Sequence, residues 1–297
     1  MYLWKYLLIC FFGIMFFGCG GQQNIKIPSL ETTVFPTYSG TLEPIKEPLI
    51  IPYPYLAYRF GVTMDIEVYN KIKHNVSKLS MNTVNSLKRT QKEPNMVEIT
   101  NDNAIGIGNQ IAFFNCSYVF DTTNQTINAF ACRSSNQQKN TALEAMAKEP
   151  VQMAEAIFFN AVHNGIKTGT VLNKSKVAIP FSEKEVYVDE IVEGLGIFGT
   201  QKVIVTKINV DEDIKNLGHV VMKGYKFYDL KKLYPIFSKV TSFTSNDKLS
   251  MQINMASPSI PLPPMIGKNT RVIITPVTNT PKGMAVPQEM YGVKYWE

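Results

Sequence analysis

Histidine, the side chain most often used in acid–base and metal chemistry, is scarce in this chain. Only His74, His163 and His219 are present among 297 residues. None belongs to the H-E-x-x-H pattern that binds zinc, and no G-x-S-x-G sequence is present that would carry a serine nucleophile. The sequence therefore predicts no catalytic residue and no metal site.

Acidic residues gather at two places in the second half of the chain, residues 183–193 and 211–213. Two carboxylates can hydrolyse a glycosidic bond when the fold brings them together, whatever their separation in sequence. The alternative is structural: acidic residues at alternate positions of a strand usually lie on a solvent-exposed face of the sheet. Asp211 to Asp213 lacks the glycine and the continuation of a calcium-binding loop, so no calcium site is predicted there.

Gly194-Leu-Gly196-Ile-Phe-Gly199 matches the G-x-G-x-x-G pattern of dinucleotide-binding sites. Such a site needs a helix directly after the glycines, so that the helix N-terminus meets the pyrophosphate. Here residues 202–210 follow with the alternation of a strand. The glycines therefore indicate a wide hairpin or a bulge, and no cofactor is expected.

The N-terminal segment has the features of a secretory signal peptide. Lys5 gives a positive start, and Tyr6 to Gly18 is uncharged and mostly apolar. A membrane-spanning helix needs about 20 apolar residues, so this shorter run suits a signal peptide over residues 1–18. The run ends directly before Cys19.

The Gly18-Cys19 junction resembles the lipobox of bacterial lipoproteins, in which a small residue precedes a cysteine that is acylated. The resemblance implies that Cys19 carries lipid, palmitate included, and becomes the mature N-terminus. Gly20 follows in place of aspartate, which in this family implies the outer membrane, on its periplasmic face or at the cell surface. Phe16 and Phe17 depart from the leucine and small residue usual in the family.

Secretion would also allow the remaining cysteines to form a disulfide. Cys10 lies in the signal segment, which leaves Cys116 and Cys132 as an even pair in an oxidising compartment. The polar residues 121–125 between them are typical of a turn. A hairpin centred on Asn124 would place the two cysteines opposite each other, so a structural disulfide is predicted. A redox-active pair is the less favoured alternative, because the C-x-x-C spacing is absent.

Residues 19–60 are predicted to form a lipid-anchored, proline-rich tether. The apolar residues between Thr63 and Thr90 recur with helical spacing, which predicts a long amphipathic helix. Basic residues gather on the opposite face of that helix: Lys71, Lys78, Lys88, Arg89 and Lys92. The alternatives for this face are simple exposure to solvent and contact with anionic lipid or an acidic partner.

Strands are predicted near Met96, Ile111 and Thr126, and a second helix over about residues 141–164 that ends at Gly165. From residue 181 the hydrophobic period changes to two, which predicts antiparallel strands. These strands cover residues 185–192, 202–210, 218–228, 248–255 and 271–276. The connection 257–264 contains four prolines and is not expected to form a central strand.

The predicted fold class is therefore α+β: a long amphipathic helix, a disulfide-bridged hairpin, a second helix, and a mainly antiparallel β carboxy-terminal half. Residues 61–180 hold the helix/β-hairpin/helix region and residues 181–297 the β region. The two could form one continuous domain.

The absence of catalytic motifs favours a non-enzymatic component of the cell envelope, with a protein partner in an envelope or secretion assembly. Two alternatives stay open, a carboxylate-dependent hydrolase of cell-wall or surface polymers and a small-ligand-binding lipoprotein. A net charge of +6 is too small to indicate a polyanionic partner. Nucleic acid is not expected outside the cytoplasm.

Overall fold

One long antiparallel sheet and one helix make up most of the described structure. A computed structural model describes residues 27–107, 110–134, 141–178, 185–214, 218–261, 271–274 and 293–296. The main sheet has eleven strands. They are β1 Ala57–Asn70, β2 Asn75–Glu93, β3 Met96–Ile107, β4 Gln110–Asp121, β5 Thr126–Ser134, β6 Val171–Ala178, β7 Glu185–Phe198, β8 Gln201–Ile214, β9 Gly218–Asp229, β10 Pro235–Ser245 and β11 Leu249–Pro261. Helix α1 spans Thr141–His163, and the short strands β12 (Arg271–Ile274) and β13 (Val293–Trp296) pair separately.

The strand order requires the sheet to curve around α1. The order is β5-β4-β3-β2-β1-β11-β10-β9-β8-β7-β6, so α1 connects the two edge strands, and it packs against both of them. A flat sheet of this many strands would hold its edges roughly 48 Å apart. Helix α1, with 23 residues, is only about 35 Å long. The sheet therefore has a concave face, which is the face that looks toward α1.

Side chains of α1 cover the outer edge of β5. Glu144 accepts a hydrogen bond from the backbone N–H of Cys132, and Gln152 accepts one from the N–H of Ile127. These N–H groups lie on the side of β5 away from β4. An exposed strand edge is a template for pairing with other chains, and these contacts occupy it.

The predicted helix from Thr63 to Thr90 is wrong. This part of the chain forms the hairpin β1–β2, in which Met64 pairs with Met81. Burial in β1 follows the period of a strand, since Met64 and Ile66 are buried while Asp65 between them is exposed. In β2 the inward positions include polar residues, which hides that period in the sequence.

The α+β class is likewise wrong, because the described chain is mostly antiparallel strand with α1 as its one helix. The second predicted helix, over 141–164, is the helix that forms. Pro150 lies inside it, and Gly165 follows its end with a φ of 82°. That left-handed conformation suits glycine and ends the helix.

The prediction that residues 257–264 cannot be central strand is also wrong over the part that is described. Strand β11 includes Pro258 and Pro261 and lies between β1 and β10. Register pairs with β1 run up to Phe60–Ser259 and resume at Thr63–Ala256, and the position of Pro258 falls in the gap. A proline is tolerated in a central strand where no ladder bond requires its N–H.

The glycine run of β7 forms a tight hairpin turn and a bulge, where the sequence predicted a wide hairpin or a bulge. Phe198 pairs with Gln201, so Gly199 and Thr200 make a two-residue turn in which Gly199 has a φ of 61°. The register shifts at Gly194. The run therefore serves the β7–β8 hairpin.

Parts of the segment 27–56 are held against the folded body. Glu43 bridges to Leu195 of β7, Leu49 bridges to Ile166, and Ile45 is buried. The described part of the predicted tether is thus held on the folded body. Residues 1–26, which include the signal segment and Cys19, lie outside the described residues.

Candidate ligand-binding cavity

A cavity of about 320 Å³ lies between α1 and the concave face of the sheet. Its wall comes from α1 and from strands on both sides of the sheet, and it is mainly apolar. The apolar side chains that line it include Phe60, Val62, Met64, Leu87, Val151, Phe158, Ile208, Met222, Val240 and Met255. The cavity therefore depends on the curvature of the whole sheet.

One face of α1 supplies the helical side of the cavity. Val151, Ala154, Glu155 and Phe158 all line it, and their spacing places them on one stripe of a helix. The stripe is apolar except for Glu155. A single carboxylate is therefore brought into an otherwise apolar region.

Glu155 is held by three side chains from other elements. Arg89 of β2 forms an ion pair with it at 3.1 Å, with side-chain exposures of only 10% and 8%. The hydroxyl of Tyr118 donates to Glu155 at 2.9 Å, and that of Tyr53 donates at 3.4 Å. The Arg89 guanidinium also lies 5.1 Å from the centre of the Phe158 ring, within the range of a cation–π contact.

A second buried ion pair lies on the far side of the cavity. Lys226 of β9 donates to Glu190 of β7 at 2.5 Å, and the hydroxyl of Thr206 donates to the other carboxylate oxygen at 2.8 Å. Lys226 also donates to the hydroxyl of Tyr228 at 3.3 Å. The Glu190 side chain is only 3% exposed, so these contacts supply the polar partners that a buried carboxylate needs.

Burial and these charges shift the ionisation of the surrounding groups. Burial raises the pKa of Tyr228 well above its ordinary value, and Glu190 raises it further. Burial also raises the pKa of Tyr58, against an opposing effect of Arg89. For Arg89 itself burial lowers the pKa, but the Glu155 carboxylate together with the hydroxyls of Tyr53, Tyr58 and Tyr118 outweighs this, and the pKa lies well above its ordinary value. The raised pKa values keep Tyr58 and Tyr228 neutral and Arg89 charged at neutral pH.

The five basic residues predicted to share a helix face do not lie together, because that helix does not form. Lys71 donates to Ser245 and to the carbonyl of Asn246. Lys78 pairs with Glu67 at 2.7 Å. Lys88 and Lys92 are exposed on β2. Arg89 faces the opposite way, into the cavity.

Cys116 and Cys132 are joined by a disulfide in the structure. They are paired residues of β4 and β5, which is the arrangement that the hairpin prediction required. Both are buried against Ala147 of α1. The bridge lies beside the helix and contributes no residue to the cavity.

Most of the acidic residues noted in the sequence lie outside the cavity. Asp189 pairs with Lys174 at 3.2 Å. His219 lies between Asp211 and Asp213, with nitrogen–oxygen distances of 3.2 and 2.9 Å. Across the described residues no group of His, Cys, Asp or Glu is arranged to hold a metal ion. Nor does the described part of the chain contain a helix long and apolar enough to cross a membrane.

The shared position of the residues that make the cavity polar could not be predicted from the sequence. Glu190 belongs to the acidic run 183–193, and Glu155 is the single acid on the apolar stripe of α1, but neither feature indicates a common cavity. Arg89 was noted only as part of a basic face. Lys226 lies at alternate spacing from Tyr228, which places both on one face of a strand but does not show what that face meets.

Comparison with known proteins adds little to this description. No protein-family model matches the chain, and no curated protein matches it. Among solved structures, the crystal structure of a DUF1329 family protein from Desulfovibrio piger is 9% identical, with coverage of 69% of this chain and 85% of that one. Its TM-score is 0.18, a value too low to support an argument about fold or function. The function must therefore be argued from the cavity.

Proposed function

We propose that this protein is a lipid-anchored component of the cell envelope that binds a small, mainly apolar molecule in the cavity between α1 and the sheet. The cavity supports the proposal. Its volume of about 320 Å³ falls at the lower end of the roughly 300–1,000 Å³ usual for small-molecule sites. Apolar walls with a few convergent polar groups are also the usual composition of such sites.

The state of the two carboxylates in the cavity favours binding over hydrolysis. Glu155 and Glu190 each accept hydrogen bonds from a cation and from at least one hydroxyl group. A general acid or base must instead exchange a proton with the substrate. Carboxylates that are fully engaged with the protein are suited to holding the wall of a binding site.

Binding can be tested with N-phenyl-1-naphthylamine, a neutral dye whose fluorescence rises in apolar surroundings. The purified wild-type protein is expected to bind it with saturation. Ser238 lines the cavity, so Ser238→Trp is expected to fill space and weaken binding by about tenfold or more.

Lys239→Trp is the matched control, because Lys239 is exposed and the adjacent position on a strand points to the opposite face. It is expected to bind the dye like the wild type. Equal loss of dye binding in the two variants would contradict a ligand site in the cavity. The absence of saturable dye binding by the wild type would contradict it as well.

The anchor can be tested separately by labelling cells with radioactive palmitate. Cys19→Ser is expected to abolish labelling of the protein. It is also expected to prevent cleavage of the signal peptide, residues 1–18. The matched control is Cys10→Ser, which changes a cysteine of the same segment and is expected to leave labelling intact. Labelled Cys19→Ser protein would contradict the lipoprotein proposal. Outer-membrane location and an envelope-protein partner stay predictions, which fractionation and cross-linking in intact cells would test.

A further inference from the structure

The charges that line the cavity balance one another. Among the described residues of the wall, the charged ones are two cations and two anions: Arg89, Lys226, Glu155 and Glu190. Each cation is paired with one of the anions. An ionised ligand would bring an uncompensated charge into an apolar, low-dielectric region, which is costly. The wall therefore suits a ligand without net charge.

Two polar atoms of the wall have no hydrogen-bond partner among the residues that the structure describes. One is the side-chain oxygen of Asn101, an acceptor on a residue that is 8% exposed. The other is Nε of Arg89, a donor on a side chain that is 10% exposed. Buried polar groups nearly always have partners, and an unpaired one destabilises the protein. This donor and this acceptor therefore point to a bound group.

The register of the sheet places Arg89 and Asn101 close enough to contact one small group. Arg89 pairs with Ile99 of β3, and Asn101 lies two residues further along the same strand. Residues in this diagonal relation share a face and lie about 7–8 Å apart. A head group between them can accept from Arg89 Nε and donate to the Asn101 oxygen at the same time.

We infer that the ligand is an uncharged amphiphile, a single-chain lipid whose head group carries a hydroxyl or a primary or secondary amide. A hydroxyl or such an amide both donates and accepts, as Asn101 and Arg89 together require. The apolar tail then lies against the side chains that fill the rest of the wall, such as Val240 and Met255. This inference rests on the proposed function and adds to it the chemical class of the ligand.

The test compares three ligands that share a dodecyl-type chain: monododecanoyl glycerol, dodecanoate and dodecyltrimethylammonium. Each competes with N-phenyl-1-naphthylamine for the wild-type protein, in buffer that keeps dodecanoate ionised and below concentrations that form micelles. The neutral glycerol ester is expected to compete at least about tenfold better than either ion. If an ion competes as well or better while the dye binds, the inference is wrong and the proposed function stands. If the dye does not bind, both are wrong.

A variant tests the part that Asn101 plays. Asn101→Leu removes the acceptor and is expected to weaken competition by the glycerol ester about fivefold, with little change in dye binding. Asn85→Leu is the matched control, since Asn85 is also buried and lies on the same face of the sheet, on β2, but outside the cavity wall and without a side-chain contact to Asn101. It is expected to leave competition unchanged. Equal affinity of the Asn101→Leu and wild-type proteins for the ester would overturn the assignment of this contact.

Discussion

At the scale of single residues, the cavity depends on charges that are stable only as pairs. Removing a charge from water costs several kcal/mol, and the attraction of a close partner offsets that cost only while the partner is present. Arg89 and Glu155 are both nearly buried, and Tyr118 and Tyr53 complete the contacts of the carboxylate. The pair therefore fixes the position of α1 against β2 more than it adds stability.

Removing only one partner of this pair should be costly. Glu155→Leu is expected to lower the free energy of unfolding by about 3–5 kcal/mol, because it leaves the Arg89 charge buried without its partner. The double variant Arg89→Leu with Glu155→Leu should be less destabilised than that single variant. Urea unfolding followed by circular dichroism measures the free energy of unfolding of both single variants, Glu155→Leu and Arg89→Leu, and of the double variant. A double variant whose loss of stability equals the sum of the two single losses would show that the two residues are not coupled.

The buried tyrosines predict how stability depends on alkaline pH. Because the pKa of Tyr228 is raised on folding, the folded protein holds the phenol proton more tightly than the unfolded chain does. The contribution of Tyr228 to folding stability is complete below about pH 10, the ordinary tyrosine pKa. It is lost as the pH rises from there toward the pKa of Tyr228 in the folded protein. Tyr228→Phe is expected to make this decline shallower, by up to about 1.4 kcal/mol per pH unit, in urea titrations at a series of pH values. An unchanged slope would contradict it.

At the scale of the elements, turns determine where the chain reverses. The turn between β4 and β5 is held by Asp121, whose carboxylate accepts the backbone N–H groups of Thr123 and Asn124. The Asn124 side chain donates to it as well. This is the turn that brings Cys116 opposite Cys132, so a local polar contact positions the disulfide.

The same contacts predict an effect of acid on this hairpin. Hydrogen bonds from the backbone and side chain of Asn124 lower the pKa of Asp121 below its ordinary value. The contribution of Asp121 to folding stability is therefore complete above about pH 4, the pKa of an aspartate in the unfolded chain. It is lost as the pH falls through the lower pKa that Asp121 has in the folded protein. Asp121→Asn should be less stable than the wild type at neutral pH, and the difference should shrink in acid. Thermal unfolding at a series of pH values measures this, and a difference independent of pH would contradict it.

At the scale of the whole molecule, the sheet is assembled by pairing between segments that are far apart in the chain. Strand β1 pairs with β11, and α1 joins the far edges β5 and β6. The segment before β1 adds Ile45 and Ile51 to the core formed by the end of α1 and by β6 to β9. The cavity is the space that this closure leaves.

The docking of the N-terminal segment can be tested through the close approach of its backbone to β7. A Cβ atom on Gly194 would lie 2.6 Å from the carbonyl oxygen of Glu43, too close for any real contact. Gly194→Ala is therefore expected to displace the segment and to speed its cleavage by trypsin near Lys46. Gly106→Ala is the control, because the nearest atom there would be 3.5 Å away. Equal cleavage of the two variants would show that the segment is not held at Gly194.

The features that depend on neighbouring residues could be predicted from the sequence. They include the helix that ends at Gly165 and the hairpin that pairs Cys116 with Cys132. In each of them the deciding contacts join residues close in the chain, so spacing and residue type suffice.

Only the tertiary structure decided whether residues 63–90 form a helix or strands, because, beyond the pairing of β1 with β2, their ladder partners come from β3 and β11. It also decided that Pro258 lies in a central strand, at a gap in the ladder. The cavity belongs to this second group, since Arg89 and Glu155 are 66 residues apart in the chain. A sequence shows which side chains could carry charge, but only the curvature of the sheet around α1 brings opposite charges together in an apolar space.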